Sequence, residues 1–559
     1  SGDFAGKTLG AIRLELVSRS GAAGGFTAYY LGVHDRRRLT DWLSYENSAV
    51  YDSEWPEFIK PRSEWGTLRP ELGLYFNAGD MDALRDKMGN EPYKSYADVL
   101  RKETRALCAM RDPEREIRTY LAVGASPFSY SARSRDRKEA LWRLMEHSAF
   151  FGLVDNDQNL ITIAARCLIS ICHCKHWVEG FVEHDFPGSA REFRSFYQNQ
   201  TCVSVVAAFD WIGGALTDHA KDVVAHSVYF KALAPIKYDF AKFSYLYGMN
   251  QGAVFSIGRI SALLMLDRMW PRIGWELNQA TADLDETVNR IIHADGGFGE
   301  GPVYYSAVMF YVLASYLLLA KASGKAPGTI LTPGIRNGAD YFGMFVSTAG
   351  KSRRLPISDG TWTIFDSDWT AMFASLTGDP RWNDTFVSAL EIQKEKVVSR
   401  NLQQIWLHGG VRSIIYGPEN LSDRKPIIPV FKIHRDSGHL TSCRPTPNGP
   451  VYLHLSGSNS SEGHSHEDKG SFILEAFGES LLIDRGMTTY SDPTYPAMRR
   501  ADMHNLAVME RDGEGVAQVN PCPMAVCPEG NGDERTIHIS MVTTPAWGSA
   551  ARKVVRRID

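Results

Sequence analysis

Gly463-His464-Ser465-His466-Glu467-Asp468-Lys469-Gly470-Ser471-Phe472-Ile473-Leu474-Glu475-Ala476-Phe477-Gly478-Glu479-Ser480-Leu481-Leu482-Ile483-Asp484, with His504-Asn505 a short way downstream, is the stretch that decides how this chain folds. Residues 470–477 and 480–484 alternate apolar and polar side chains with period two, so they read as paired strands with a turn at Gly478-Glu479. His464 and His466, at i and i+2 of an extended segment, point to the same side. Together with Asp484 and His504 they offer imidazoles and a carboxylate, the donor types that Zn²⁺ or a similar divalent ion accepts. A hydrogen-bonded histidine cluster at a sheet edge fits the same spacing.

Outward from this stretch, period two persists from about residue 428 to the end. Residues 451–455 and 536–542 are further strands, and an antiparallel sheet domain of sandwich type follows. Between about residues 80 and 420 the period changes to that of helices. Residues 81–88, 137–151, 160–174, 203–216, 252–270, 280–292 and 304–322 carry apolar side chains at i, i+3 and i+4. Asp80 is placed as an N-cap, and Gly89-Asn90 as a stop. Helices with short connections and no strict repeat suggest stacked helical hairpins in an incomplete toroid crossed by a groove. Near the start, residues 11–17 and 26–31 read as strands. The expected organisation is a small N-terminal β segment (1–65), an incomplete (α/α) toroid (66–425) and an antiparallel β-sandwich (426–559) that stops in charge-rich sequence and is expected to be incomplete.

At 559 residues the chain exceeds what one core usually supports. Its net charge of -4 supplies no basic field for nucleic acid. The apolar run near residues 310–320 is about half of a membrane span and reads as a buried helix. No signal peptide is visible at the opening Ser1-Gly2-Asp3, which reads as a processed or trimmed start. Its eight cysteines, Cys172-His173-Cys174 and Cys522…Cys527 among them, lack the C-x₂-C spacing of a zinc site; they read as mostly free thiols with room for one disulfide.

Three blocks carry a resemblance. The first is Gly463-His464-Ser465-His466…Asp468-Lys469-Gly470-Ser471-Phe472, then Glu475-Ala476-Phe477-Gly478…Leu482-Ile483-Asp484-Arg485-Gly486, then Arg499…His504-Asn505. The second is Asp295-Gly296-Gly297-Phe298-Gly299-Glu300-Gly301-Pro302-Val303-Tyr304-Tyr305, and the third Met249-Asn250-Gln251-Gly252. In order and spacing they resemble the heparinase II/III-like polysaccharide lyases. The resemblance implies β-elimination on a uronic-acid polymer, with Asn250, Tyr304 and His464 catalytic. It implies a structural metal, commonly zinc, on His466, Asp484 and His504; manganese and calcium are the alternatives. It also implies a secreted or periplasmic bacterial enzyme with an anionic polysaccharide as partner. Where the family often has histidine after the asparagine, this chain has Gln251.

The chemistry explains the residue types. Elimination removes the proton on C5 beside a carboxylate and expels the oxygen on C4. An amide such as Asn250, helped by Gln251, can hydrogen-bond that carboxylate as charge develops. Tyr304 suits the acid and also the base; His464 suits the base or a cation facing the carboxylate. Further candidates for catalysis or substrate contact are Tyr305, Glu300, Arg499, Tyr490 and Tyr495. Each has an ordinary alternative: core for either tyrosine of the 304–305 pair, an N-cap for Asn250, a surface charge for Arg499. Arg36-Arg37-Arg38 reads as a solvated face, and Lys351-Ser352-Arg353-Arg354 as solvated or lining an anionic groove. Asn250 without a following histidine favours glycosaminoglycans over alginate. A glycoside hydrolase using Glu300 with Asp359, or a non-catalytic carbohydrate-binding protein, competes with the lyase.

Overall fold

Residues 55–110, 135–173, 177, 195–271, 274–350, 353–360, 363–396, 410–458, 463–487 and 492–559 are described by the computed structural model. The expected N-terminal strands, Arg36-Arg37-Arg38 and Tyr490 lie outside these residues. Helical periodicity produces α1 (Met81–Gly89), α2 (Tyr93–Met110), α3 (Arg135–Val154), α4 (Gln158–His173), α5 (Phe196–Ile212) and α6 (Asp218–Val228). It continues through α7 (Ala234–Lys242), α8 (Asn250–Met269), α9 (Gly274–Ile291), α10 (Gly301–Ser323), α11 (Ser367–Thr377) and α12 (Pro380–Lys396). Asp80 stands at the N-cap position of α1, but its carboxylate makes no bond to that helix: it accepts from the Asn77 backbone N–H at 2.7 Å, closing a capping box one turn earlier.

α5, α8, α10 and α11 are buried along most of their length and on all sides, which places them at the inside of the ring. α4 and α9 keep one polar face and pack outside them. Contacts run α2 to α3, α3 to α5, α5 to α8, α8 to α10, α10 to α11 and α11 to α12, and α12 returns to α2. This is an incomplete α/α toroid. α5 and α8 cross closely because Gly258 has no side chain: a Cβ there would lie 2.4 Å from Asn199 Oδ1, which instead accepts from the Gly258 N–H. α10 has the length and apolarity of a membrane span, but 78% of its apolar window is buried inside the protein.

The strand region is a β-sandwich. A five-stranded antiparallel sheet runs in sequence order: β3 (Phe431–His434), β4 (His439–Arg444), β5 (Val451–Leu455), β6 (Phe472–Ala476) and β7 (Glu479–Leu482). Three further strands, Pro528–Gly532, Ile537–Val542 and Val555–Ile558, form a second sheet. Leu440, Leu453 and Leu455 of the first sheet share a core with Ile537, Ile539 and Met541 of the second. The opposite face of the first sheet lies on the helical domain, where Tyr452 and Ile473 join the helical core. Tyr452 and Thr441 both donate to the Met344 carbonyl, at 2.5 and 2.9 Å. Both faces of its inner strands are therefore covered, while the edge strand β7 is exposed along its length. The β6–β7 turn is Phe477-Gly478, both at positive φ (57° and 82°), so Glu479 belongs to the strand and not to the turn. The seven cysteines among the described residues are free thiols.

One ion pair joins the two domains beside the site. His434 on β3 places Nδ1 2.9 Å from Asp295 Oδ2 and Nε2 2.7 Å from the Asp295 carbonyl. Burial raises the Asp295 pKa, but the hydrogen bond and charge of His434 outweigh it and hold the group down to about 2. A depressed carboxyl stabilises the fold above its unfolded pKa and loses that contribution as pH falls through the folded value. Asp295→Asn is thus expected to cost on the order of 1 kcal/mol near neutral pH, since solvent screens a partly exposed pair, and the gap from wild type should close between about pH 4 and pH 2. Thermal melts of both proteins across that range measure it; a gap that stays constant contradicts it.

Candidate active site

The loop before α10 begins the site. The His293 N–H donates to the Gly297 carbonyl, Ile292 bridges Phe298, and the turn ends at Glu300. Glu300 is 5% exposed. Its Oε1 accepts from the Asn250 backbone N–H at 2.5 Å, and its Oε2 from Asn250 Nδ2 at 2.6 Å. Asn250 is the first residue of α8 and caps nothing; its side chain is a donor to Glu300. Gln251 is not drawn into this cluster, since its amide oxygen accepts from Tyr245.

The sheet domain brings His464 to the same carboxylate. The Gly463 N–H donates to the Gly299 carbonyl at 2.9 Å and sets the loop against the helical domain. His464 Nε2 is 3.1 Å from Glu300 Oε2, and Nδ1 is 2.8 Å from Asp359 Oδ2. With a carboxylate on each ring nitrogen, both nitrogens donate and the ring is an imidazolium. Burial alone would lower the pKa of His464; the two carboxylates outweigh it and raise it to about 9. The same ring lies flat on Tyr304, centroids 3.9 Å apart and planes 13° apart. A cation against an aromatic face is attracted by the ring quadrupole. His464 adopts φ 52° and Ser358, beside Asp359, φ 57°. Left-handed backbone at non-glycine residues costs on the order of 1–3 kcal/mol each and persists where the surroundings impose it.

Tyr304 and Tyr305 separate clearly. Tyr304 is half-buried against His464. Tyr305 is 1% exposed, sits among Phe298, Tyr341, Phe342 and Phe373, and its buried hydroxyl has no hydrogen-bond partner. Arg354 is buried rather than groove-lining: it donates to the Pro302 and Val303 carbonyls, bracing the turn that carries Tyr304. Tyr495 donates to Asp359 Oδ1 at 2.8 Å. Arg499 donates to the Ser465 carbonyl at 2.9 Å and covers the Tyr495 ring.

His466 is fully buried, with Nε2 2.9 Å from Asp359 Oδ1. His504 Nδ1 is 2.8 Å from Asp484 Oδ2, and the two imidazole centres lie 5.5 Å apart. Among the described residues no three His, Cys, Asp or Glu side chains are grouped as a ligand shell. What remains is a pair of donors: His466 Nδ1 and His504 Nε2 are buried without a hydrogen-bond partner. Buried imidazole nitrogens left unpaired are costly, and a divalent ion satisfies them. Asp484, on the other nitrogen of His504, stands where a carboxylate orients a metal-bound histidine.

Sequence reasoning missed two residues. Lys469, 1% exposed, donates Nζ to Ser465 Oγ, to the His466 carbonyl at 2.6 Å and to Asp468 at 2.8 Å, so it ties down the histidine loop. Its place inside the motif was the available signal. Asp359 entered only as half of a hydrolase pair; its three side-chain donors come from beyond residue 460, and no local pattern connects them.

No protein-family model matches the sequence, and no curated protein matches it. Solved structures are similar to it in overall shape at low identity. The heparinase III BT4657 gene product aligns at 12% identity and TM-score 0.48, over 87% of this chain and 77% of that one. A form of it with methylated lysines aligns at 12% and 0.46, over 75% of this chain and 63% of that one. Heparan sulfate lyase HepC from Pedobacter heparinus aligns at 12% and 0.44, over 83% and 72%.

Proposed function

We propose that this protein is a polysaccharide lyase that cuts a uronic-acid polymer by β-elimination. The observation that carries the reading is the convergence of Asn250, Tyr304 and His464, from two domains, around Glu300. The Tyr304 oxygen, as phenolate, takes the C5 proton. The electrons of the C5–H bond form the C4–C5 double bond while the C4–O bond breaks. The same proton then passes to the departing oxygen. The imidazolium stacked on Tyr304 stabilises negative charge on the phenolate and on the substrate carboxylate. Asn250 spends one amide N–H on Glu300 and has a second for that carboxylate. Both nitrogens of His464 already carry protons, so the ring serves as cation and not as base. Arg499 and Tyr495 flank this centre and contact the polymer, the arginine through its planar fork.

A hydrolase needs one carboxylic acid that keeps its proton near neutral pH. Burial raises the Asp359 pKa, but hydrogen bonds from His464, His466 and Tyr495 hold it far below the usual carboxylate range. Glu300 faces the same imidazolium. Both oxygens of Glu300 are already taken by donors of Asn250 and His464, so neither carboxylate of this pair is free to face a glycosidic oxygen.

We further infer that His466 and His504 hold a divalent ion, zinc by donor type, with Asp484 orienting His504 from its other nitrogen. When bound it supplies a fixed cross-link under the histidine loop. A polymeric substrate places the protein outside the cytoplasm, secreted or periplasmic. Glycosaminoglycans such as hyaluronan, chondroitin or heparan sulfate are the preferred class, with alginate as the alternative. Digestion of this panel, followed by the ultraviolet absorbance of the new conjugated double bond, tests the reading. Absorbance is expected from at least one polymer; sugar release without it would mean hydrolysis.

A further inference from the structure

The Asp359 carboxylate lies where the two domains meet, 2% exposed at its side chain. It accepts from His464 Nδ1 at 2.8 Å, His466 Nε2 at 2.9 Å and Tyr495 Oη at 2.8 Å. Its own backbone N–H donates to the His464 carbonyl at 3.3 Å. The loop that carries it is locked from both sides. β1 (Arg353–Arg354) and β2 (Thr363–Ile364) pair at its base. A Cβ on Gly360 would lie 2.5 Å from Val303 on α10, one residue before Tyr304. On the other side the Met487 N–H donates to the Gly360 carbonyl at 2.7 Å. Gly486 packs on the same oxygen at φ 60°, where a Cβ would lie 2.0 Å away.

From this geometry we propose that Asp359 is a positioning residue: by holding His464, His466 and Tyr495 on one fixed carboxylate, it sets the plane of the His464 imidazole against Tyr304. The proposal rests on the lyase reading for its kinetic consequence but not for its structural one. One oxygen accepts from His466 and Tyr495, and the other from His464. Asparagine has the same shape, yet one of its two ends is an NH₂. If its oxygen stays with the first pair, the NH₂ meets the N–H of His464, donor against donor. The His464 ring is then released while the loop keeps its other contacts.

Asp359→Asn is expected to lower kcat about a hundredfold with KM within about threefold, because the oriented imidazolium acts mainly on charge that develops in the transition state. Asp359→Glu keeps the charge and displaces it by one methylene; it too is expected to lower kcat at least about tenfold, and it serves if the asparagine variant fails to fold. Full kcat in either folded variant overturns the proposal. A second readout needs no activity. In a double-mutant cycle of melting temperatures, Asp359→Asn should lower Tm by less than half as much in a His464→Ala background as in wild type. Additive shifts overturn the proposal even if the protein cleaves nothing. A wild type without lyase activity, combined with strong coupling in the cycle, instead refutes only the reading of function.

Discussion

Replacing Tyr304 by phenylalanine is expected to lower kcat on a cleavable polymer by roughly 10²–10⁴-fold, the range that positioned proton transfer contributes, with little change in KM. The phenyl ring keeps the stack on His464 and loses only the oxygen. Tyr305→Phe is the internal control. That hydroxyl is buried without a partner, so its removal relieves an unsatisfied polar group and should leave activity unchanged and stability equal or higher. Steady-state absorbance assays and melts of the two variants decide the matter. Loss of activity in Tyr305→Phe with retention in Tyr304→Phe would reverse the assignment of the pair.

The contrast between these neighbours shows how far the sequence could be read. Two adjacent tyrosines at a helix start are equivalent by composition. What separates them is the 100° step of the helix, which turns one toward the ring interior and the other toward a loop from 160 residues away in sequence. Period two located β5, β6 and β7, and apolar spacing located α5, α8 and α10, because local burial patterns are written locally; β3, β4 and α11 carried no such signal. Asn250 looked like an N-cap by residue type. Its donor role depends on Glu300, fifty residues later. Asp80 does take the N-cap position of α1, but its carboxylate is spent on the Asn77 N–H one turn earlier. The β6–β7 turn reads one residue late in the sequence, at Gly478-Glu479, because an aromatic at positive φ runs against its propensity.

Asp359 marks the limit more sharply. Its environment is assembled from His464, His466 and Tyr495, and its loop is held by Val303, Gly486 and Met487. None of these is near it in sequence, so its acidity could only be read once the domains were docked. The same docking changed the reading of His464. As a residue in a motif it offered a lone pair; between Glu300 and Asp359 both nitrogens are donors.

His464→Ala is expected to abolish cleavage, by at least about a thousandfold, while the protein still binds its divalent ion. The two histidines of the loop have separate partners: His464 faces Glu300 and Tyr304, whereas His466 is buried 5.5 Å from His504. Removing the first leaves the orphaned nitrogens of the second pair in place. His466→Ala takes away one of those nitrogens and one donor to Asp359, so it should lose both the metal and most of the activity. Chelation of the wild type should lower Tm first, because an ion at 100 to 1,000 times its Kd stabilises the fold by about 3–4 kcal/mol. Metal content of each purified variant, melts with and without chelator, and the absorbance assay separate the roles. Loss of the ion in His464→Ala would make His464 a ligand and place the metal at the reaction centre, and a chelator-insensitive Tm would return His466 and His504 to a purely hydrogen-bonded cluster.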